Sequence, residues 1–324
     1  MPSIQSMDQQ PEIGWHMRPC LVEFLVEIHF SFHLRPEILY LAINIVDRYV
    51  SRRIVFIEHY QLIGCVALWI AAKFEDVKER VPSIKDLVQM CHDAYEESAF
   101  RQMEGYILST IQWTLGHPTA ETWLGILCSR GPRIEEPKVQ HVARFLMEIT
   151  LFYREFVKYP PSLISRAALA LSCFLCRQPE RFMDSETDEC MEILDLLDTR
   201  FAKHGKNLSK VLVKKYSDAC YSKVATFVIQ FYLQGGRFAR VTIPSFTNTP
   251  TPNTPLSDAP KLKLDAPITT TALNPSSSDY EDKENWPTTI KPVTSRQIDP
   301  SPEQYLPREF VTFSRPVLQT LNVC

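Results

Sequence analysis

The chain has 324 residues, of which 45% are hydrophobic and 23% charged, a composition typical of globular proteins. Its formal net charge of -3 argues against a nucleic-acid or anionic-membrane partner, because no basic excess is available to displace counterions. The nine cysteines are scattered without disulfide-framework spacing, which indicates a reducing compartment and buried thiols. No basic segment followed by an apolar core opens the chain, so we expect no secretory signal.

The composition changes near residue 240. All nine glycines precede this point, and more than half of the 24 prolines follow it. The later part is rich in Thr, Ser and Pro, and such a segment cannot bury enough apolar area to offset its ordering entropy. We therefore predict a short lead over residues 1–14, folded domains over 15–117 and 118–236, and a disordered regulatory tail over 237–324.

Five helices are predicted in the first domain. The third helix is the most apolar, since between Leu62 and Ala72 only Gly64 and Cys65 interrupt its hydrophobic run. A helix that is apolar on all sides must be surrounded by other elements, and at about 16 residues this one is short for a membrane span. The predicted spans are Met17–His33, Pro36–Val50, Gln61–Asp76, a short helix with a Ser83–Asp86 capping box, and Tyr95–Leu115.

The second domain repeats this plan. At an offset of 101 residues, Leu62 aligns with Leu163, while Lys73 aligns with Phe174. Only the first domain therefore ends its central helix in charges, and we expect the working surface there. No stretch alternates with period two, so we predict an all-α fold. The five helices predicted in this domain are Thr119–Cys128, Lys138–Phe156, Ser162–Cys176, Ser185–Phe201 and Asn207–Leu233.

Motifs of catalysis and metal binding are missing from the sequence. It contains no Gly-rich phosphate loop, no HExxH and no paired Cys motif at metal spacing. Cys173 and Cys176 form a CxxC within an apolar helix, and buried thiols are the better interpretation. His29 and His33, one helical turn apart, are more often a coincidence than a metal site. We therefore expect no enzyme activity, no cofactor and no metal.

The first predicted helix carries more apolar residues than one buried face needs. One apolar stripe along the helix is enough to face the core, and the helix carries four further apolar residues: Val22, Leu25, Val26 and Phe32. The pattern leaves two interpretations open, deep burial of the whole helix or an exposed binding groove.

Five short stretches of the chain carry a recognisable pattern: QPEI at 10–13, MRPCLVEFL at 17–25, NIVDRYVS at 44–51, AAKFED at 71–76 and QMEGYIL at 102–108. They resemble motifs of the cyclin family, in the family's order and at its spacing, and the last four correspond to the family patterns MRAILVDWL, xxxDRFL, ASKFEE and RMEHxIL. The resemblance extends over about residues 10–235. QPEI and MRP, together with ALWIAAKFED, resemble fungal G1 (G1/S-specific) cyclins more than mitotic ones.

The resemblance implies a double cyclin box, two five-helix bundles followed by the tail. It also implies a regulatory subunit that binds and activates a cyclin-dependent protein kinase, helps select its substrates and controls G1 progression and entry into S phase, in nucleus and cytoplasm. Two rival interpretations remain open. A transcription-factor-like cyclin fold would bind DNA, and a helical adaptor would have no kinase partner.

The resemblance assigns a kinase-binding surface to the first domain. Lys73 and Glu104 would bind the αC region of the kinase. In the active state, a glutamate of αC must pair with the ATP-binding lysine. A rigid surface that binds this state better selects it. The alternative is a salt bridge between Lys73 and Glu104 on a solvated rim. The apolar members of the implied surface are Ile70, Phe74, Leu108, Trp113 and Leu115.

Two further sets of residues follow from the resemblance. Arg18 and Asp47 match a buried ion pair that ties the first helix to the second. A substrate-docking patch is implied, in which Cys20 and Phe24 depart from the animal pattern, so we expect a shallower patch with a docking preference other than Arg-x-Leu peptides. The implied docking residues are Met17, Cys20, Leu21, Phe24, Glu27 and Gln61.

The two ends of the chain carry separate expectations. Members of the family usually have an extra kinase-contacting helix before the signature, and here only 16 residues precede Met17, so the chain either lacks its beginning or does without that helix. In the tail, Lys283-Glu284-Asn285 resembles the KEN degron read by a ubiquitin ligase. Four hydroxyl residues precede proline, the target pattern of the proposed kinase class: Thr249, Thr251, Thr254 and Ser301.

Overall fold

A computed structural model describes residues 2–129, 136–177, 187–205 and 207–239, and these contain helices without strands. None of the helices in these ranges is both long and apolar enough to span a bilayer. The tail residues that carry the predicted phosphorylation sites and degron lie outside the described part of the chain. The helices are α1 (Ile4–Asp8), α2 (Arg18–Ser31), α3 (Pro36–Val50), α4 (Ile57–Glu75), α5 (Ile84–Met90), α6 (Glu97–Thr110), α7 (Ala120–Ser129), α8 (Pro137–Thr150), α9 (Pro161–Leu175), α10 (Asp188–His204), α11 (Lys210–Tyr216) and α12 (Val224–Leu233).

The first bundle is formed by α2 to α6 around α4. From His59 to Ala72, every residue of α4 is buried except Trp69, as expected for a helix surrounded by α2, α3 and α6. Close approach of α2 requires a glycine on α4, because a Cβ at Gly64 would lie 2.6 Å from Cδ1 of Leu21. The predicted capping box of α5 is present, with Ser83 and Asp86 each satisfying a backbone N–H of the other.

The second bundle is formed by α7 to α12 around α9, and the predicted all-α architecture of two helical bundles is confirmed for the described residues. One helix prediction in it is wrong. The apolar pattern over Asn207–Leu233 suggests one helix, but the chain breaks between α11 and α12, where Ser222 and Lys223 have φ of 56° and 51°. The Asp218 side chain accepts from the Cys220 N–H at 3.0 Å, a local turn that competes with helix continuation.

Two other predicted helices end early. The predicted Lys138–Phe156 helix ends as α8 at Thr150, whose hydroxyl donates back to the Met147 carbonyl at 2.6 Å. The predicted Tyr95–Leu115 helix is shorter in the structure, where α6 spans Glu97–Thr110. Gln112 and Trp113 follow it with φ of 56° and 55°.

The lead before α2 is anchored on the α3–α4 connection. Gln10 donates from its amide to the carbonyls of Val50 at 2.8 Å and Arg53 at 2.7 Å, and accepts from Val55 N–H at 2.9 Å. Glu12 accepts from the Ile57 N–H, one of the unpaired donors at the start of α4. The QPEI motif therefore has a structural role as a clamp on this connection.

Contacts across the two bundles begin at the start of α2. The Arg18 Nε donates to the Leu151 carbonyl at 2.8 Å, directly after α8. The Trp15 ring contacts two guanidinium groups, since the Cζ atoms of Arg18 and Arg154 lie 5.9 and 5.6 Å from its centroid. Asp8 accepts from both the Trp15 indole and Arg154, each at 2.7 Å.

A buried charged cluster lies where α8 and α11 meet. The Lys215 ammonium donates to both carboxylate oxygens of Glu148, at 2.6 and 2.9 Å, and the Tyr216 hydroxyl donates to the same carboxylate at 2.7 Å. The side chains of Lys215 and Glu148 are only 2% and 3% exposed, so each charge depends on the other.

Candidate functional site

Lys73 and Glu104 meet at the surface of the first bundle. Lys73 emerges from the last turn of α4 and forms an ion pair with Glu104 of α6. The two side chains are 35% and 22% exposed, so solvent reaches both partners. The pair therefore fits the alternative of a rim salt bridge as well as the implied binding role, and an ion pair this exposed contributes only about 0–1 kcal/mol to folding.

The apolar residues implied for this surface divide into two groups. Phe74 and Trp113 are 50% and 69% exposed, which is unusual for large apolar side chains. Ile70 and Leu108 are 3% and 7% exposed, so they lie beneath the surface and support it. Leu115 is half-buried.

Arg48 of α3 holds the segment that presents Trp113. Its guanidinium donates to the carbonyls of Thr114 at 2.7 Å and Ile111 at 3.2 Å, on either side of Trp113. Trp113 has a left-handed backbone conformation, which turns the chain away from α6. The backbone that carries the exposed indole is therefore held in place.

Sequence reasoning missed Trp69. Its ring centroid lies 3.4 Å from the Lys73 Nζ, so the ammonium contacts an indole face as well as the Glu104 carboxylate. The signal was present in the sequence, because a residue four positions before Lys73 shares its face of the helix.

The predicted docking patch is only partly at the surface. Met17, Leu21 and Gln61 are 6%, 1% and 2% exposed, so the prediction that they form an exposed patch is wrong. They are buried because α2 packs closely on α4, and this favours deep burial over a groove for that face. Three of the implied residues remain accessible: Cys20 and Phe24, both half-buried, and Glu27, which is exposed.

The remaining predicted groups are also located. Arg18 and Asp47 form a two-pronged ion pair, with Nη2–Oδ2 at 3.0 Å, in which Arg18 is buried and the Asp47 side chain is 14% exposed. Cys173 is buried and Cys176 is half-buried. The His29 Nε2 lies 2.9 Å from the Arg35 carbonyl oxygen, whereas His33 is exposed, so the structure gives these two histidines different surroundings.

Comparison with known proteins decides the family. Residues 1–116 match the cyclin N-terminal domain and residues 118–230 match the cyclin C-terminal domain. The chain belongs to the cyclin family. Members of this family are regulatory, non-catalytic subunits.

Fungal cyclins are among the relatives of this cyclin. The G1/S-specific cyclin CCN1 of Candida albicans is 47% identical over 192 residues, covering 53% of this chain and 28% of that protein. Cyclin puc1 of Schizosaccharomyces pombe is 31% identical over 242 residues, with coverages of 67% and 64%. The G2/mitotic-specific cyclin cig2 of the same yeast is 35% identical over 239 residues, with coverages of 72% and 57%. This cyclin thus spans between 28% and 64% of the length of these three relatives.

Proposed function

We propose that this cyclin is the activating subunit of a cyclin-dependent protein kinase. The carrying observation is that the first bundle presents the partly exposed Lys73–Glu104 ion pair together with two exposed large apolar side chains, Phe74 and Trp113. Exposed aromatic anchors at the core and polar or charged groups at the rim are typical of a protein-binding surface. The ion pair contributes to binding once the kinase excludes water from it. In the dry interface, a charge that has lost its opposite charge has no water to solvate it.

The distribution of exposed apolar residues supports the same location. Five of the six large apolar side chains exposed in the described part of the chain belong to the first bundle. Since scattered single residues are ordinary, the clustering in one bundle is what favours an interface. The six residues are Ile54, Phe74, Val77, Tyr106, Trp113 and Leu233.

Affinity capture by the full chain, combined with a kinase assay, tests this proposal. A purified fungal cyclin-dependent kinase would be bound to the wild type, to Lys73→Ala with Glu104→Ala, and to Trp113→Ala. We expect a loss of roughly 2–5 kcal/mol of binding per desolvated charge, with melting temperatures close to wild type. Leu233→Ala is the matched control, because Leu233 is 55% exposed but lies on α12 of the second bundle.

The outcomes separate the rival functions. Equal kinase activation by the wild type and the charge-pair variant would reject this surface. A wild type that captures no kinase would favour the adaptor, and co-purifying nucleic acid would favour the transcription-factor-like alternative.

The finer proposal is a role in G1 progression and entry into S phase, exerted in nucleus and cytoplasm. It is supported by the resemblance to fungal G1 cyclins and by the 47% identity to a G1/S-specific cyclin. Substrate selection would use the accessible docking residues Cys20, Phe24 and Glu27. Phe24→Ala should slow phosphorylation of a protein substrate and leave a short peptide unaffected, and equal slowing of both would contradict docking.

The tail is proposed as the element that controls the lifetime of this cyclin. Phosphate on Thr249, Thr251, Thr254 or Ser301 would add about -1.5 to -2 charges per site, which suits an Arg-rich pocket of a ubiquitin ligase. Deleting residues 241–324 should lengthen the half-life several-fold in cycling cells with kinase activation intact. Equal half-lives would contradict this role.

A further inference from the structure

Trp69 occupies an unusual position on the central helix. In the run from His59 to Ala72 it alone is not fully buried, and its ring lies under the Lys73 ammonium at 3.4 Å. The two residues are four apart on α4, where side chains lie one above the other. The large ring at the surface of this helix is therefore in contact with the residue that carries the proposed function.

The Lys73 ammonium is held from two sides. The Glu104 carboxylate pairs with it from α6, and the indole face of Trp69 supports it from its own helix. A lysine side chain is flexible, and a single exposed ion pair fixes it only weakly. The face of tryptophan is the best aromatic partner for a cation, so the second contact restricts the ammonium to one place.

We propose that Trp69 is a positioning residue that orders Lys73 before the partner binds. The ammonium has three donors, and the contacts with Glu104 and the indole leave donor capacity for an acceptor on the partner. A side chain ordered in advance loses less freedom on association, so the indole strengthens binding through Lys73. The ordering of Lys73 is a property of the free cyclin, whereas its effect on affinity rests on the proposed kinase-binding function.

The first experiment uses the free full-length protein labelled with ¹³C-lysine. A methylene held against an indole face experiences the ring current, so its NMR signals move away from the average lysine position. We identify the Lys73 signals by their loss in Lys73→Gln. Trp69→Leu should return them to the average, while Trp69→Phe should retain part of the shift. Trp123→Leu, at a half-buried tryptophan on α7 of the second bundle, should leave them unchanged.

The second experiment is a double-mutant cycle on binding to the purified kinase. Trp69→Leu should weaken binding by about two- to fivefold, the range expected for one exposed cation–π contact. In the Lys73→Gln background the same substitution should have no further effect, because the ordered ammonium is gone. Trp69→Phe should recover part of the loss, and comparable melting temperatures identify variants that fold normally.

Each result has a defined reading. Unchanged Lys73 signals in Trp69→Leu would overturn the positioning role, whatever the kinase does. An equal loss of affinity in both backgrounds would also overturn it, since Trp69 would then act independently of Lys73. If the wild type binds no kinase, the proposed function fails, and the lysine signals alone decide whether Trp69 orders Lys73.

Discussion

The two central helices end differently. In the first bundle, the last turn of α4 carries Lys73 and the exposed Phe74. In the second, Phe174 occupies the position aligned with Lys73 and packs against Phe231 and Phe238, with ring centroids 6.2 and 5.0 Å apart. The chain itself thus covers this end of α9, and the corresponding end of α4 is left accessible. The same packing plan yields a closed structural bundle and one with a surface available to a partner.

The two bundles also differ in how exposed their Lys–Glu ion pairs are. Lys215 and Glu148 are almost fully buried, and Tyr216 supplies a further hydrogen bond. Lys73 and Glu104 remain partly hydrated. A buried pair is costly to break and an exposed pair contributes little to folding, so the first stabilises the fold and the second is free to serve the proposed binding function.

Breaking the buried pair should have the largest effect on folding. Lys215→Ala leaves the Glu148 carboxylate buried without its cation and should cost about 3–5 kcal/mol, measured by urea unfolding. Lys73→Ala is the matched comparison and should cost at most about 1 kcal/mol. Adding Glu148→Gln to Lys215→Ala should recover part of the loss by removing the stranded charge. Similar costs for the two lysines would contradict the contrast.

Truncating the phenylalanine at the end of each central helix should have opposite effects in the two bundles. Phe174→Ala should cost about 2 kcal/mol of stability, less than a fully buried phenylalanine because its ring is half-buried. Phe74→Ala should change stability by no more than about 0.5 kcal/mol and weaken kinase binding. Thermal melting and kinase capture measure the two effects. Loss of stability in Phe74→Ala would show that the end of α4 is also structural.

The boundary between the bundles should respond to pH through His29. Burial and the nearby Lys215 lower its pKa from 6.5 to about 4, opposed by Glu148, the Arg35 carbonyl and Asp76. Because the folded pKa lies below the unfolded value, the unfolded state takes up the proton first. The stability is complete above about pH 6.5 and falls as the pH drops towards 4.

His29→Gln keeps a donor for the Arg35 carbonyl and removes this titration. Between about pH 7.5 and 5.5 the wild type should lose about 1–1.5 kcal/mol more stability than the variant, measured from urea midpoints. Parallel pH profiles for the two proteins would contradict the assignment. His33→Gln is the control, since His33 is exposed and should leave the profile unchanged.

The sequence predicts the central helix and the start of α5 well because their signals are local or strong. A continuous apolar run defines α4, and Ser83 with Asp86 marks the start of α5 by a capping box of fixed spacing. Arg18 and Asp47 depend on long-range contact and were found through the family motif.

The depth of burial on α2 could not be read from the pattern. Leu21 is apolar whether it faces a groove or the core, and only the approach to Gly64 decides between them. The break before α12 was missed because the apolar residues on both sides keep a helical spacing across it. Lys215 gave no signal either, since a buried lysine is identified only by the carboxylate that meets it in space.

The Arg18–Leu151 hydrogen bond has a consequence for synthesis on the ribosome. The two residues are 133 positions apart, so Asp47 is available to the guanidinium long before the carbonyl is. The nascent first bundle can form its ion pair, yet the guanidinium keeps one N–H without its carbonyl partner until Leu151 has emerged. Chains paused before that point should hold the start of α2 loosely and expose it to proteases. Completion of α8 then closes this site, which makes the first bundle dependent on the second for its final stability.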